Sequence, residues 1–310
     1  MILLNYLIMC FIFGTTFLAI KIGMDAGAPP FMSAGIRFFF AGAILYCFMF
    51  WKKKVPSGLL FRKELFLTGL GLTFGTFSTL YWAEQYVSSG VAAVLSATGP
   101  IMILFLQNYI VREKATKLSL LGCFIGVFGV FLLILPSFSI EMSLLWLLGC
   151  ILVIVGEVSF AAGTLYSKRV SQSFKDISSI ALNSVQMMHG GVLLIILSLF
   201  TEQVQMEQLT SFHALGSLVY LMFVGSMIGH TLYYWLVVNT NPVFPSTWLY
   251  VSPIIAIIFG ALFYNELITP MIVLGAVTIM IGTILVNATI IQGSLMKVKA
   301  LSRVPKKKNA

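Results

Sequence analysis

Charge is what this sequence has least of: Asp, Glu, Lys and Arg make up 9% of its 310 residues. A soluble domain carries about a quarter of its residues as charges, so an ordinary water-facing surface cannot be assembled from this composition. Paired cysteines are lacking too. Cys10, Cys47, Cys123 and Cys150 all lie inside apolar runs and read as small core hydrophobes, without a disulfide framework. No phosphate-binding GxxxxGK[ST] loop, HExxH or GxSxG occurs, which speaks against ATP hydrolysis by this chain and against an enzyme. The three histidines have no metal-site spacing, so no metal and no cofactor is expected. Separators long enough for a soluble domain are missing as well.

What is there is apolar. Hydrophobic residues account for 59% of the chain and aromatics for 14%, and the mean hydropathy is +1.00. The opening MILLN lacks a basic n-region, so the first apolar stretch reads as a retained span and not as a cleaved signal. At about 20 residues per crossing, the candidates are 3–22, 31–50, 65–84, 88–110, 118–135, 144–166, 180–200, 213–235, 245–264 and 272–291. The expectation is an all-α polytopic membrane protein of ten transmembrane helices. Period-two alternation is weak, against a β-barrel.

The charges orient it. WKKKVPSGLLFRKE, VREKATK, SKRVSQSFK and KVKALSRVPKKK hold 17 of the 19 basic residues, leaving Lys21 and Arg37 outside them. The intervening connections carry acids: Asp25, Glu84, Glu141, Glu202, Glu207 and Glu266. Basic loops alternating with acidic ones place both termini in the cytoplasm of a multi-pass cell-membrane protein. The tail 293–310 is expected to lie unstructured near anionic lipid, as an orienting element and not a nucleic-acid binder.

Two stretches repeat at an offset of 153 residues: Tyr81-Trp82 falls on Tyr234-Trp235, Pro100 on Pro253, Glu113 on Glu266, Thr116 on Thr269, Gly122 on Gly275 and Gly129 on Gly282. Five spans per unit is an odd number, so tandem units, 1–137 and 138–292, must lie in the membrane upside down relative to each other. Inverted repeats with helix breaks at the midplane, here expected at Pro100 and Pro253, are the geometry of secondary transporters.

Those motifs carry a resemblance. FIFGTTFLAIKIG, STLYWAEQYVSSGVAAVLSATGP, REKATKLSLLG and the second-half HTLYYWLVVNTNPVFPSTWLYVSPIIAIIFGALFYNELITPMIVLGAVTIMIG resemble the EamA family of the drug/metabolite transporter superfamily, over residues 3 to 290. The resemblance implies two five-helix repeats, with spans one, three, four, six, eight and nine about the centre and five and ten peripheral. It also implies efflux of amino acids, other metabolites or toxic compounds. Glu157 departs from the family's usual apolar or tryptophan-like position.

Several residues are candidates for a substrate or proton site. Glu157 lies about 20 Å below the outer end of its span, where a carboxylate must be protonated, paired or facing a wet cavity. Arg37, about 9 Å below the outer boundary, either snorkels outward or meets a substrate carboxylate; facing one cavity with Glu157 suits the depths better than a tight pair. His189 and His230 are proton-path candidates or neutral core residues. Lys21 reaches headgroups or substrate. Trp248 and Tyr250, mid-span, are cavity walls or ordinary packing. Tyr81, Trp82, Tyr234 and Trp235 suit an interfacial girdle or a gate, while Glu113 and Glu266 read as structural helix starts. Glycines three or four apart in GLGLTFG, GCFIGVFG and GSMIG allow close helix approach, within the monomer or in a homodimer. The reading is a secondary transporter of a small-molecule substrate in the lipid bilayer, with a channel or lipid scramblase as the alternative.

Overall fold

The computed structural model describes residues 1–56, 58–87, 89–112, 116–135, 143–255 and 269–302. They form helical segments, α1 to α10 in chain order. α1 is Ile2–Asp25 and α2 is Pro30–Trp51. α3 runs as Lys63–Gly69, a π-helical stretch Leu70–Gly75 and Thr76–Ala83. α4 is Ser89–Ser96 followed by Gly99–Leu106 and a π-helical Gln107–Val111. α5 is Lys117–Ile134, α6 Leu144–Ser173 and α7 Ser179–Thr201. α8 is Phe212–Tyr220, π-helical Leu221–His230 and Thr231–Asn239; α9 is Val243–Ile255 and α10 Pro270–Ser302.

Five of these, α1, α2, α6, α7 and the whole of α8, are long and apolar enough to cross a membrane. Their outer faces keep large apolar side chains such as Phe11, Phe40, Phe48, Ile151 and Leu199 exposed, a surface that only hydrocarbon solvates without cost. The protein is therefore an all-α, helical-bundle membrane protein.

Helix ends are closed by local chemistry. Thr116, Ser143, Ser178 and Ser211 accept backbone N–H bonds in the first turns of α5, α6, α7 and α8, satisfying donors that lipid cannot. The N-terminus of α2 has no such residue, because Pro29 precedes it. Glu202, at the end of α7, accepts instead from Phe31 N (2.8 Å) and Met32 N (3.0 Å), its charge sitting on the positive end of the helix. The turn between α1 and α2 is made by Gly27 at φ +83°, a conformation that favours glycine.

Glycine then sets which helices touch. A Cβ built at Gly282 of α10 would lie 2.5 Å from Gly126 N of α5, and one at Gly122 2.7 Å from Val286 N. α2 and α7 meet in the same way through Gly35, Gly42 and Gly191. Without side chains between them the backbones approach closely, and dispersion contacts supply the attraction that water exclusion cannot supply in lipid.

The structure corrects several boundaries. The fourth apolar run is not one helix: it breaks at Ala97 and Thr98, and Pro100 opens the second half, where a missing N–H costs nothing. The second break is not at Pro253, which lies within helical residues, but at Thr247, six residues earlier. α6 extends to Ser173, past the expected 166. The tail is also not wholly unstructured, because α10 continues helically to Ser302. Glu113 and Glu266 lie outside the described residues.

The glycine packing of α5 yields a direct prediction. Gly126→Leu, whose new side chain meets the Tyr250 ring within about 3 Å by the contacts at the glycine, should lower stability by about 1–3 kcal/mol, read as a lower Tm in detergent, whereas Gly216→Leu, with open space around it, should leave Tm nearly unchanged.

Candidate functional site

Near the middle of the bundle α1, α2, α3, α4, α6, α8 and α9 enclose a cavity of about 40 Å³, room for one or two waters. Its wall is aromatic. Phe13 packs on Trp248 with ring centroids 4.5 Å apart, Phe17 on Trp248 at 6.1 Å, and Phe160 on Tyr233 at 5.4 Å. The polar groups on that wall are Thr16, Arg37, Thr76, Ser96, Glu157, His230 and Tyr233.

Glu157 is 6% exposed. The Ser96 hydroxyl, on the last residue of the first half of α4, lies within hydrogen-bonding reach of its carboxylate. Its other oxygen, Oε2, has no hydrogen-bond partner and sits where a Cβ on Gly99 would be. The carboxylate thus occupies the break in α4, a place only a glycine leaves open. An anion there is costly unless something comes to meet it.

Arg37 turns inward rather than snorkelling and is 1% exposed. Nε donates to Ser226 Oγ of α8 at 2.7 Å and Nη1 to Tyr81 OH of α3 at 3.2 Å. The guanidinium also lies over the rings of Phe38 (4.6 Å) and Phe77 (5.4 Å), a cation–π arrangement that suits a desolvated arginine. It shares the cavity with Glu157 without an ion pair; among the described residues the salt bridge within 4.0 Å is Lys21 with Asp25 at 2.7 Å.

The remaining candidates separate. His230 is in the cavity, ringed by Phe38, Phe13 and Phe77 at 5.1, 5.2 and 5.5 Å, with Nδ1 unpartnered. His189 is elsewhere: Nε2 meets the Leu60 carbonyl at 2.9 Å, beside Phe66. Trp248 lines the cavity, but Tyr250 does not; it points at α5, where its hydroxyl donates to Cys123 O at 3.4 Å and its ring fills the space over Gly126. Lys21, 42% exposed, is held by Asp25 one turn along. The girdle reading fails for Tyr81 and Tyr234, which are 2% and 0% exposed; Tyr81 is a partner of Arg37.

Ser96, Ser226 and Tyr233 were not singled out as site residues from sequence, and Tyr81 was read as a girdle or gate residue, not as a partner of Arg37. Serines in apolar helices give no signal by themselves. Tyr233 could have been found, because the 153-residue offset pairs it with Leu80 and pairs His230 with Phe77, and all four line the cavity. The same offset carries the π-helical stretch of α3 into that of α8. π-Turns in both places widen the helices where the cavity forms.

Each end of the cavity is bolted. Toward the α1–α2 turn, Thr15 and Tyr220 hydroxyls are 2.5 Å apart and Ser217 Oγ donates to Ala19 O. Toward the other end, Thr164 and Tyr233 hydroxyls lie 2.8 Å apart, Lys168 Nζ donates to Val238 O and Thr240 O at 2.5 and 3.0 Å, and Tyr6 meets Thr247 at 2.8 Å.

Comparisons with known proteins place the chain among membrane transporters. The chain is 30% identical over 252 residues to the inner membrane transporter YedA of Escherichia coli K12, covering 80% of this chain and 78% of that one. It is 28% identical to the transporter YoaV of Bacillus subtilis 168, covering 91% and 94%. It is 27% identical to a probable amino-acid metabolite efflux pump of E. coli K12, covering 89% and 91%. A crystal structure superposes with a TM-score of 0.73 at 14% identity, over 92% of this chain and 97% of its own, which shows a shared fold. The model of the EamA-like transporter family matches residues 1–135 and 147–288. The chain belongs to that family, part of the drug/metabolite transporter superfamily, and is a multi-pass membrane transporter and not an enzyme.

Proposed function

We propose that this protein is a secondary transporter that exports a small metabolite, such as an amino acid or amphipathic compound, by alternating access coupled to protons. The observation that carries the reading is the buried Glu157 carboxylate, half unpartnered, in a small aromatic-lined cavity at the break of α4. A carboxylate so placed accepts either an ammonium group or a proton, and a site that holds one or the other couples their movements. The aromatic wall supplies apolar and cation–π contact for the rest of the molecule. The likeness to a probable amino-acid metabolite efflux pump supports the substrate class and direction.

The architecture in this proposal is ten spans with both termini cytoplasmic, in two inverted five-helix repeats, 1–137 and 138–292, followed by the tail 293–310. The two stretches matched by the family model support it, as does pairing across the centre. α2 packs on α7 and α5 on α10, each on its counterpart five helices away, and Phe77 meets its counterpart His230 at 5.5 Å. Two similar halves about one site can exchange inward-open and outward-open shapes. A central cavity of only about 40 Å³, with hydrogen bonds between helices on either side of it, suits a carrier better than a channel or scramblase, which needs a continuous path.

Three outcomes are expected. In proteoliposomes screened with amino acids, nucleobases, polyamines and organic cations, Glu157→Gln abolishes the substrate-specific current while the protein stays folded; an unchanged current makes Glu157 structural. Trp248→Ala raises the half-saturation concentration in counterflow roughly two- to thirteenfold, the loss of an aromatic contact of about 0.5–1.5 kcal/mol, while Tyr250→Phe leaves it unaltered. In a cysteine-free background, a cysteine replacing Lys53 reacts with an impermeant maleimide only from the cytoplasm and one replacing Gln203 only from outside; the reverse pattern overturns the orientation.

A further inference from the structure

Glu84 closes α3 as its C-cap, one turn beyond Tyr81, and none of the site described so far uses it. It is 2% exposed, and neither carboxylate oxygen has a hydrogen-bond partner. No lysine or arginine nitrogen among the described residues lies within 4.0 Å of it. The charged and titratable groups that act on it are Lys21 of α1, Arg37 of α2 and Tyr81 of α3. Lys21 is engaged by Asp25, and Arg37 by Ser226 and Tyr81.

The local field is also wrong for an anion. α3 ends at Glu84, with the Leu80, Trp82 and Ala83 carbonyls taken up by the backbone N–H groups of Glu84, Gln85, Tyr86 and Val87, and the negative end of a helix favours a cation or a neutral group. An ionised carboxylate with no donor, in a buried site at a helix C-terminus, is not a stable arrangement. A structural glutamate would hold a cap or an ion pair, as Glu202 does at the head of α2. Glu84 holds neither. Its chain neighbours Trp82, Gln85 and Tyr86 line a vestibule of about 660 Å³ that also borders the α1–α2 turn, the side from which a proton would reach it.

We propose that Glu84 is a second proton-accepting site, on the outer side of the Arg37 bolt and distinct from Glu157. This rests on the transporter reading for its place in the cycle, not for its chemistry. A hydronium ion in the vestibule gives its proton to a carboxylate oxygen, leaving water and a neutral acid; release reverses the step. With Glu84 neutral, Arg37 stays on Ser226 and Tyr81, and α3 remains tied to α8. With Glu84 ionised, its charge competes for the guanidinium and draws it off Ser226, freeing the outer ends of α3 and α8. Proton entry from outside therefore re-bolts the outer gate after substrate has left, which is the order an exporter driven by inward proton flow requires.

The test is infrared difference spectroscopy on the full chain in proteoliposomes, with outside pH as the variable, alongside efflux rates. The wild type should show two carbonyl bands from protonated carboxyl groups in dry surroundings. Glu84→Gln should remove one and Glu157→Gln the other, and Glu84→Asp, a check on a variant that still folds and titrates, should shift the first band without removing it. Glu84→Gln should also lose the dependence of efflux on outside pH. A carbonyl region identical in wild type and Glu84→Gln overturns the proposal, as does a Glu84 band that follows inside pH and ignores outside pH. Loss of the band assigned to Glu157 from the wild type, with that of Glu84 present, would sink the central-site reading and leave this one standing.

Discussion

Arg37 and Glu157 share one small cavity inside a hydrocarbon-facing bundle and do not pair, and the surrounding architecture answers to that constraint. Two unpaired charges in such a place are far more costly than an ion pair unless other groups take up their hydrogen bonds. For Arg37 these are Ser226, Tyr81 and the faces of Phe38 and Phe77. For Glu157 they stop at Ser96, and one oxygen is left over. The asymmetry is informative: the guanidinium has two hydrogen-bond acceptors and two ring faces around it, whereas one oxygen of the Glu157 carboxyl group is left with capacity for something that comes and goes. Glycine makes the arrangement possible, since only Gly99 leaves room for the carboxylate and only Gly225 leaves room beside the guanidinium.

The same contacts explain why binding and movement are linked. Arg37, on α2, ties α3 to α8, and both of these helices carry π-helical stretches. π-Helical stretches interrupt the regular helix ladder, so in the proposed cycle the halves of both helices toward the α1–α2 turn swing once the arginine lets go. On the other side Lys168 holds the end of α8 by two carbonyls, and Thr164 holds it through Tyr233. The bolts are chemically different at the two ends, a guanidinium at one and an ammonium at the other. In the proposed cycle, opening each end would therefore answer to different conditions.

Much of this was legible in the sequence because membranes restrict the alternatives. Scarcity of charge excluded a soluble fold, and the 153-residue offset picked out Tyr81, Pro100 and the glycines that now pair α5 with α10. Glu157 and Arg37 stood out because charges are rare in apolar runs. What could not be read is direction in space. Trp248 and Tyr250 are two residues apart on one helix, yet one lines the cavity and the other faces α5; local spacing fixes an angle between them but not which neighbour each meets. The break at Thr247 instead of Pro253 has the same origin. Proline prevents one hydrogen bond, but where a helix yields depends on partners such as Tyr6 and Asn287, which bond Thr247 from α1 and α10. Glu84 was read only as a loop acid, because its burial depends on how α1 and α2 cover the end of α3.

The central claim is that Arg37 holds the outer gate shut over a site that the two halves open alternately. The most direct measurement is a pulsed electron–electron distance distribution between spin labels replacing Gln85, beyond the outer end of α3, and Leu215, near the start of α8, in a cysteine-free background. The account predicts two distances in the bilayer, the shorter dominant in the otherwise unchanged protein and the longer enriched when Arg37→Gln is added. A single distance, the same with and without Arg37, would contradict it.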